Sequence, residues 1–267
     1  IIIYGFYCSI TIGNAWDTFF FIEIGKNRLD YLLSLGLKPL NEGHYMASTY
    51  IGIYNILNAF FLELAPRKFE VEFFHILNFI ISFFSAIGLY KLVKQLFNSE
   101  IGFLTLFIFL LFPIFFGHMA INDRDTVVVF SNIWITYYAI KYFEFKKNKN
   151  DKYVLYISFL LALGLGVRLA FVATLFPIIF YLIFLLNIKK KVLNFKQILF
   201  DFIKVTFYSL ITIVIFWAPI HEDLVNKTID LISKIFSYGW GYPFTFVNGV
   251  VYESNNASNL YILENLF

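Results

Sequence analysis

The chain has 267 residues, of which 60% are hydrophobic and only 15% charged; soluble domains carry about 45–50% and about 25%, so the surplus of apolar side chains faces something other than water. The net charge of +3 is small and no long basic block is present, which argues against a nucleic-acid partner. A single cysteine, Cys8, excludes a disulfide framework within the chain and reads as an inert apolar residue.

A membrane-crossing helix needs about 20 mostly apolar residues. Charge-poor runs predict seven spans, near residues 1–16, 73–90, 101–121, 126–140, 153–167, 169–188 and 205–220. The first opens mid-run at Ile1 with no initiator Met, and the last residue, Phe267, stops abruptly, so the chain reads as a fragment of a longer protein. The absence of a basic flank or a small-residue cleavage site argues against a signal-peptide core at the start. The apolar run 50–62 is short, which predicts an interfacial or re-entrant helix rather than a crossing. No internal repeat is visible. The expected organisation is an all-α, polytopic transmembrane bundle over 1–220, with a long external loop at 17–72, followed by an external segment at 221–267.

Lys and Arg in short loops favour the cytoplasm. Three loops are basic: Lys91 and Lys94; Lys146, Lys147, Lys149 and Lys152; and Lys189, Lys190, Lys191 and Lys196. They share one side whether or not 50–62 crosses; a crossing there would invert only the start of the chain. With 50–62 not crossing, Asp17, the loop 117–125, Arg168 and the tail from His221 fall together on the non-cytoplasmic face. Abundant Lys, Asn, Ile and Phe fit an AT-rich prokaryotic source, whose inner membrane would hold the chain.

Polar residues collect opposite the basic loops in four places. Asp17 follows the first run, and the connection after it carries Glu23, Lys26, Arg28, Asp30, His44, Arg67 and Lys68. Loops of that length are uncommon unless functional or disordered, and the apolar patches 19–24 and 50–62 predict helices lying on the membrane surface. The stretch from Gly117 through His118, Asn122, Asp123 and Arg124 to Asp125 gathers five polar groups between two spans. Arg168 stands alone at the turn of a tight helical hairpin, where its fork of donors suits phosphate or carboxylate. The tail holds His221-Glu222-Asp223 and an aromatic, Gly-rich stretch from Tyr238 to Pro243.

Each of these has an ordinary structural explanation. Asp17 would be a helix-end acid at the interface, Asp125 an N-cap before Thr126, Asp123 a solvated loop acid and Arg168 a snorkelling cation. His118 would be a hydrogen-bonded interfacial group and His75 a satisfied core histidine. The Lys clusters are topology signals first and contacts to anionic membrane lipids second. No His, Cys or Asp spacing makes a strong metal site.

Four stretches together resemble the GT-C membrane glycosyltransferases, in particular their protein-O-mannosyltransferase-like branch. They are Asp17 with Ile22-Glu23-Ile24-Gly25; Phe73-Phe74-His75-Ile76-Leu77-Asn78 with Leu89-Tyr90-Lys91-Leu92; Phe116-Gly117-His118 through Asn122-Asp123-Arg124-Asp125; and Tyr242-Pro243 with Phe246 to Tyr252. Their order and spacing carry the likeness over nearly the whole chain. Asp123 stands where the family often has Pro, and Asp17-Thr18 replaces its usual Asp-Glu pair.

The resemblance implies transfer of a sugar, with inversion, from a polyprenyl-phosphate donor to a hydroxyl on a protein, lipid or glycan. In such a reaction a carboxylate takes the acceptor proton and cations stabilise the departing phosphate. By resemblance Asp17 is the general base. Asp125 orients the acceptor or joins Asp17 in holding a divalent metal. Arg168, then Arg124, contacts the donor phosphate, with Lys68 as a further substrate contact and His118 and Asn122 as supporting partners. Two other functions compete. A polysaccharide polymerase or ligase would depend more on external Arg and His, and a transporter or flippase would place ionisable residues or broken helices near the bilayer midplane.

Overall fold

The computed structural model describes residues 2–15, 17–41, 50–144, 151–188, 195–237, 244–247 and 250–253. Trp16, His44, the Lys146–Lys149 and Lys189–Lys191 loops and the stretch from Tyr238 to Pro243 lie outside them. The chain divides into two units, Ile1–His221 and Glu222–Phe267.

In the first unit, α1 (Ile2–Thr11) is followed by α2 (Thr18–Leu33), the short α3 (Ile53–Leu62) and a 3-10 turn (Arg67–Phe69) that leads into α4 (Glu70–Leu96). Then come α5 (Ser99–Leu111), α6 (Pro113–His118), α7 (Asp125–Glu144), α8 (Asp151–Val167), α9 (Phe171–Ile188), α10 (Phe195–Phe216) and a closing 3-10 turn (Ala218–Ile220). The second unit contains α11 (Leu224–Ser237), with β1 (Phe244–Val247) and β2 (Val250–Glu253) paired antiparallel, Val247 opposite Val250. The fold is predominantly helical, as expected, with one short hairpin added in the second unit. Two short β-branched and aromatic runs flank Asn248-Gly249, the residue pair most favoured in a two-residue hairpin connection.

Among the described residues, two helices are long and apolar enough to cross a bilayer: Arg67–Leu96, which is the 3-10 turn with α4, and Lys196–Phe216 within α10. The expected span 101–121 is divided. Pro113 has no N–H to donate and cannot continue the helix it interrupts, so α5 ends at Leu111 and α6 starts afresh at Pro113. Asn98 opens α5 by accepting the Ile101 amide at 2.9 Å. The outer surfaces are apolar: α5 exposes Phe103, Leu104, Phe107, Ile108 and Leu111, and α10 exposes Phe200, Phe202, Ile203 and Phe207. A water-soluble chain rarely presents contiguous apolar faces of this kind.

Helix α4 is the axis of the first unit, packed against α1, α5 and α7; α8 packs on α7 and α10, and α2 on α3. The inner face of α4 is polar. His75, Asn78, Ser82 and Ser85, spaced three or four residues apart, are all fully buried. Helix α3, ten residues and about 15 Å long, is enclosed by α2, α4 and α8, with Ile53, Ala59 and Leu62 buried. Gly25 permits the close approach of α2, since a Cβ there would lie 2.4 Å from the Asn55 carbonyl oxygen.

Candidate functional site

The start of α7 joins four distant parts of the chain. Asn122 organises it: its Oδ1 accepts the backbone amides of Arg124 (3.1 Å) and Asp125 (2.8 Å), satisfying donors that a helix start leaves free. Capping thus falls to Asn122 rather than to Asp125, the expected cap. Freed from that duty, the Asp125 carboxylate accepts Asn122 Nδ2 at 3.0 Å and Arg168 Nη2 at 3.0 Å. His118 Nδ1 lies 3.1 Å from Asn122 Nδ2. The neighbouring residue, Arg124, turns the other way and donates Nη2 to Asp17 Oδ2 at 3.2 Å and Nη1 to the Tyr50 hydroxyl at 3.2 Å.

Asp17, Arg124, Asp125 and Arg168 therefore form an alternating row of charges drawn from the head of α2, the head of α7 and the turn between α8 and α9. Asp17 stands before the first residue of α2, and its side chain makes no capping bond. The Arg168 turn is tight because Gly164 leaves room for the Phe171 ring, which a Cβ would meet at 2.5 Å. Both ion pairs are half-exposed on the acid side. Exposed pairs contribute only about 0–1 kcal/mol each, so the outer Asp125–Arg168 pair opens readily to a charged ligand.

Two expectations are overturned here. Asp123 is buried, not solvated, and accepts Asn55 Nδ2 at 3.1 Å. The reason is the packing of its turn: Asn78 Nδ2 donates to the Ala120 carbonyl at 3.1 Å and Ser82 Oγ to the Met119 carbonyl at 2.9 Å, which draws the turn down onto α4. Burial pushes the Asp123 carboxyl up to about 6, against the opposing pull of the Arg124 charge and the Asn55 bond. His75 is buried as expected but not satisfied, for neither ring nitrogen has a hydrogen-bond partner among the described residues.

Lys68 is not drawn into the row; its ammonium lies over the Phe69 ring, 5.6 Å from the centroid. A separate polar cavity of about 530 Å³ opens near it, lined by Lys26, Asp30, Glu63, Arg67 and Glu70 among others. Asp17 and Asp125, the pair considered for a divalent metal, each face a guanidinium, and among the described residues no group of three or more His, Cys, Asp or Glu side chains is placed to hold an ion. This donor set does not fit a metal centre. Phe21 and Tyr50, which contact Arg124, and Asn55, which bonds Asp123, are not marked out by the sequence. In a chain with 36 Phe and 18 Tyr, two aromatics carry no local signal.

An apolar-surfaced helical chain whose ionisable groups meet where helix ends converge is built as a membrane protein with its polar site at the helix ends. Residues 53–217, more than half of the chain, match the family model described as dolichyl-phosphate-mannose-protein mannosyltransferase, and the chain belongs to that family of membrane glycosyltransferases of the mannosyltransferase type. No curated protein and no solved structure matches it. The matched segment contains Lys68, His118, Asn122, Arg124, Asp125 and Arg168 but not Asp17, whose place in the site rests on its ion pair with Arg124.

Proposed function

We propose that the chain is a multi-pass membrane enzyme that moves a sugar from a polyprenyl-phosphate donor to a hydroxyl acceptor on the non-cytoplasmic face, inverting the anomeric centre. The observation that carries this reading is the row Asp17–Arg124–Asp125–Arg168, an exposed carboxylate and an exposed guanidinium held in one array through a single dipeptide. The basic loops supply the orientation: with their lysines in the cytoplasm, the row lies on the opposite face.

Asp17 takes the proton from the acceptor hydroxyl as its oxygen attacks the anomeric carbon from the side opposite the phosphate. The bond from that carbon to the phosphate oxygen breaks, and the phosphate leaves with the electron pair. Arg168, exchanging Asp125 for the phosphate, stabilises the charge that builds there. Asp125 holds Arg168 in place before the donor arrives and afterwards faces the acceptor. The apolar helix surfaces beside the site accommodate the polyprenyl tail.

The test is reconstitution of the full chain in proteoliposomes with labelled polyprenyl-phosphate mannose and a panel of peptide, lipid and glycan hydroxyl acceptors. The reading expects label on an acceptor and stoichiometric release of polyprenyl phosphate. Transfer from a nucleotide sugar instead, or no transfer from the lipid-linked donor to any acceptor, would contradict it.

A further inference from the structure

Building on the assignment of Asp17 as base, we propose that Phe21 and Tyr50, pinned by the buried Arg28, form an aromatic clamp that fixes Arg124 on the Asp17 carboxylate and so sets the aim of the base. They are positioning residues, acting on the reaction through Arg124.

An exposed Arg–Asp pair by itself is loose, because a free arginine side chain samples many rotamers. Here the guanidinium has little freedom. Its central carbon lies 4.0 Å from the Phe21 ring centroid and 4.9 Å from that of Tyr50. The two rings meet edge to face, 82° apart in plane with centroids separated by 6.1 Å, so the cation sits in the corner between them. Two different nitrogens are then engaged: Nη1 donates to the Tyr50 hydroxyl and Nη2 to Asp17, each at 3.2 Å. A planar group seated in the corner between two rings and bonded through two different nitrogens is confined in orientation.

The clamp needs its own anchor, since Tyr50 belongs to no helix. Arg28 supplies it. Fully buried, its Nη1 donates to the Tyr50 carbonyl at 2.7 Å and the Ile51 carbonyl at 2.8 Å. Gly52 makes this approach possible: it has φ +75°, and a Cβ there would lie 2.3 Å from Arg28 Nη1. Its amide donates to the Gly166 carbonyl at 2.9 Å, two residues before Arg168, so the same turn is tied to the second arginine's segment. Asp17, Phe21 and Arg28 all come from α2 or its cap at spacings of four and seven, which places them on one helix face. One face of one helix thus supplies the acid, one jaw of the clamp and the pin for the other.

The experiment compares Tyr50→Phe, which removes only the accepting oxygen, with Tyr50→Leu, which also removes the ring. Each is assayed in the full chain for kcat and donor KM with polyprenyl-phosphate mannose, beside thermal unfolding in detergent. The clamp predicts that kcat falls about threefold to tenfold in Tyr50→Phe and about tenfold to a hundredfold in Tyr50→Leu. Donor KM should stay within about twofold of wild type, and the unfolding midpoint of Tyr50→Phe should be unmoved. The proposal is overturned by unchanged kcat in both variants, by a loss confined to KM, or by a loss of activity in Tyr50→Phe that tracks a lowered unfolding midpoint. Asp17→Asn run in parallel separates the two failures. Full activity in Asp17→Asn removes the base and the clamp together; an inactive Asp17→Asn beside a fully active Tyr50→Leu removes the clamp alone.

Discussion

Asp123 and Asp125 are two residues apart and live in opposite surroundings. Asp125 is half-exposed beside Arg168, while Asp123 is buried against Asn55. Because burial raises the Asp123 carboxyl to about 6 from an ordinary 3.8, the folded state binds a proton more tightly there than the unfolded chain does. The penalty for ionising it is therefore absent below pH 3.8, grows between 3.8 and about 6, and is complete above, where it amounts to roughly 3 kcal/mol at most. Asp123→Asn keeps an acceptor for Asn55 and never ionises. Relative to wild type it should gain stability as pH rises from 4 to 7, read from unfolding midpoints in detergent at each pH; a constant difference would show that Asp123 is not a buried titrating group. The sequence made Asp17, Asp125 and Arg168 visible because each stands where an apolar run ends. The burial of Asp123 is not legible locally, because it depends on Asn55, 68 residues away, and on the turn's attachment to α4.

Among the elements, α4 shows why apolar runs locate helices without saying what they face. Its polar stripe joins α3 and the α7 turn: the Tyr54 hydroxyl donates to Asn78 Oδ1 at 2.7 Å while Asn78 Nδ2 donates to Ala120. Asn78→Leu would leave a buried hydroxyl and a buried carbonyl without partners, a cost of about 1–3 kcal/mol. A lowered unfolding midpoint is the expected result, and a midpoint at or above that of wild type would mean that the stripe does not hold the turn. The expected spans 73–90, 126–140 and 153–167 fall inside α4, α7 and α8, since freedom from charge over that length is itself a helix signal in lipid. Helix α3 was legible as a short apolar run, but its enclosure was not: the same residues would serve at a lipid surface or under α2, and only Gly25 against the Asn55 carbonyl shows which. The break at Pro113 was present in the sequence and outweighed by the apolarity around it.

On the scale of the whole molecule, an apolar exterior and a charge row at the helix ends divide the labour: the surface suits lipid, and under the proposed function the ends receive a substrate that is itself half lipid and half sugar. The matched segment covers Arg124, Asp125 and Arg168, and an ion pair ties Asp17, which lies outside it, to Arg124. The most direct test of the account is the single-turnover rate of sugar transfer from polyprenyl-phosphate mannose by Asp17→Asn, at donor concentrations that saturate the wild type. Removal of a general base predicts a rate lower by about a hundredfold or more, with donor binding retained through Arg168. A rate equal to that of the wild type would contradict it.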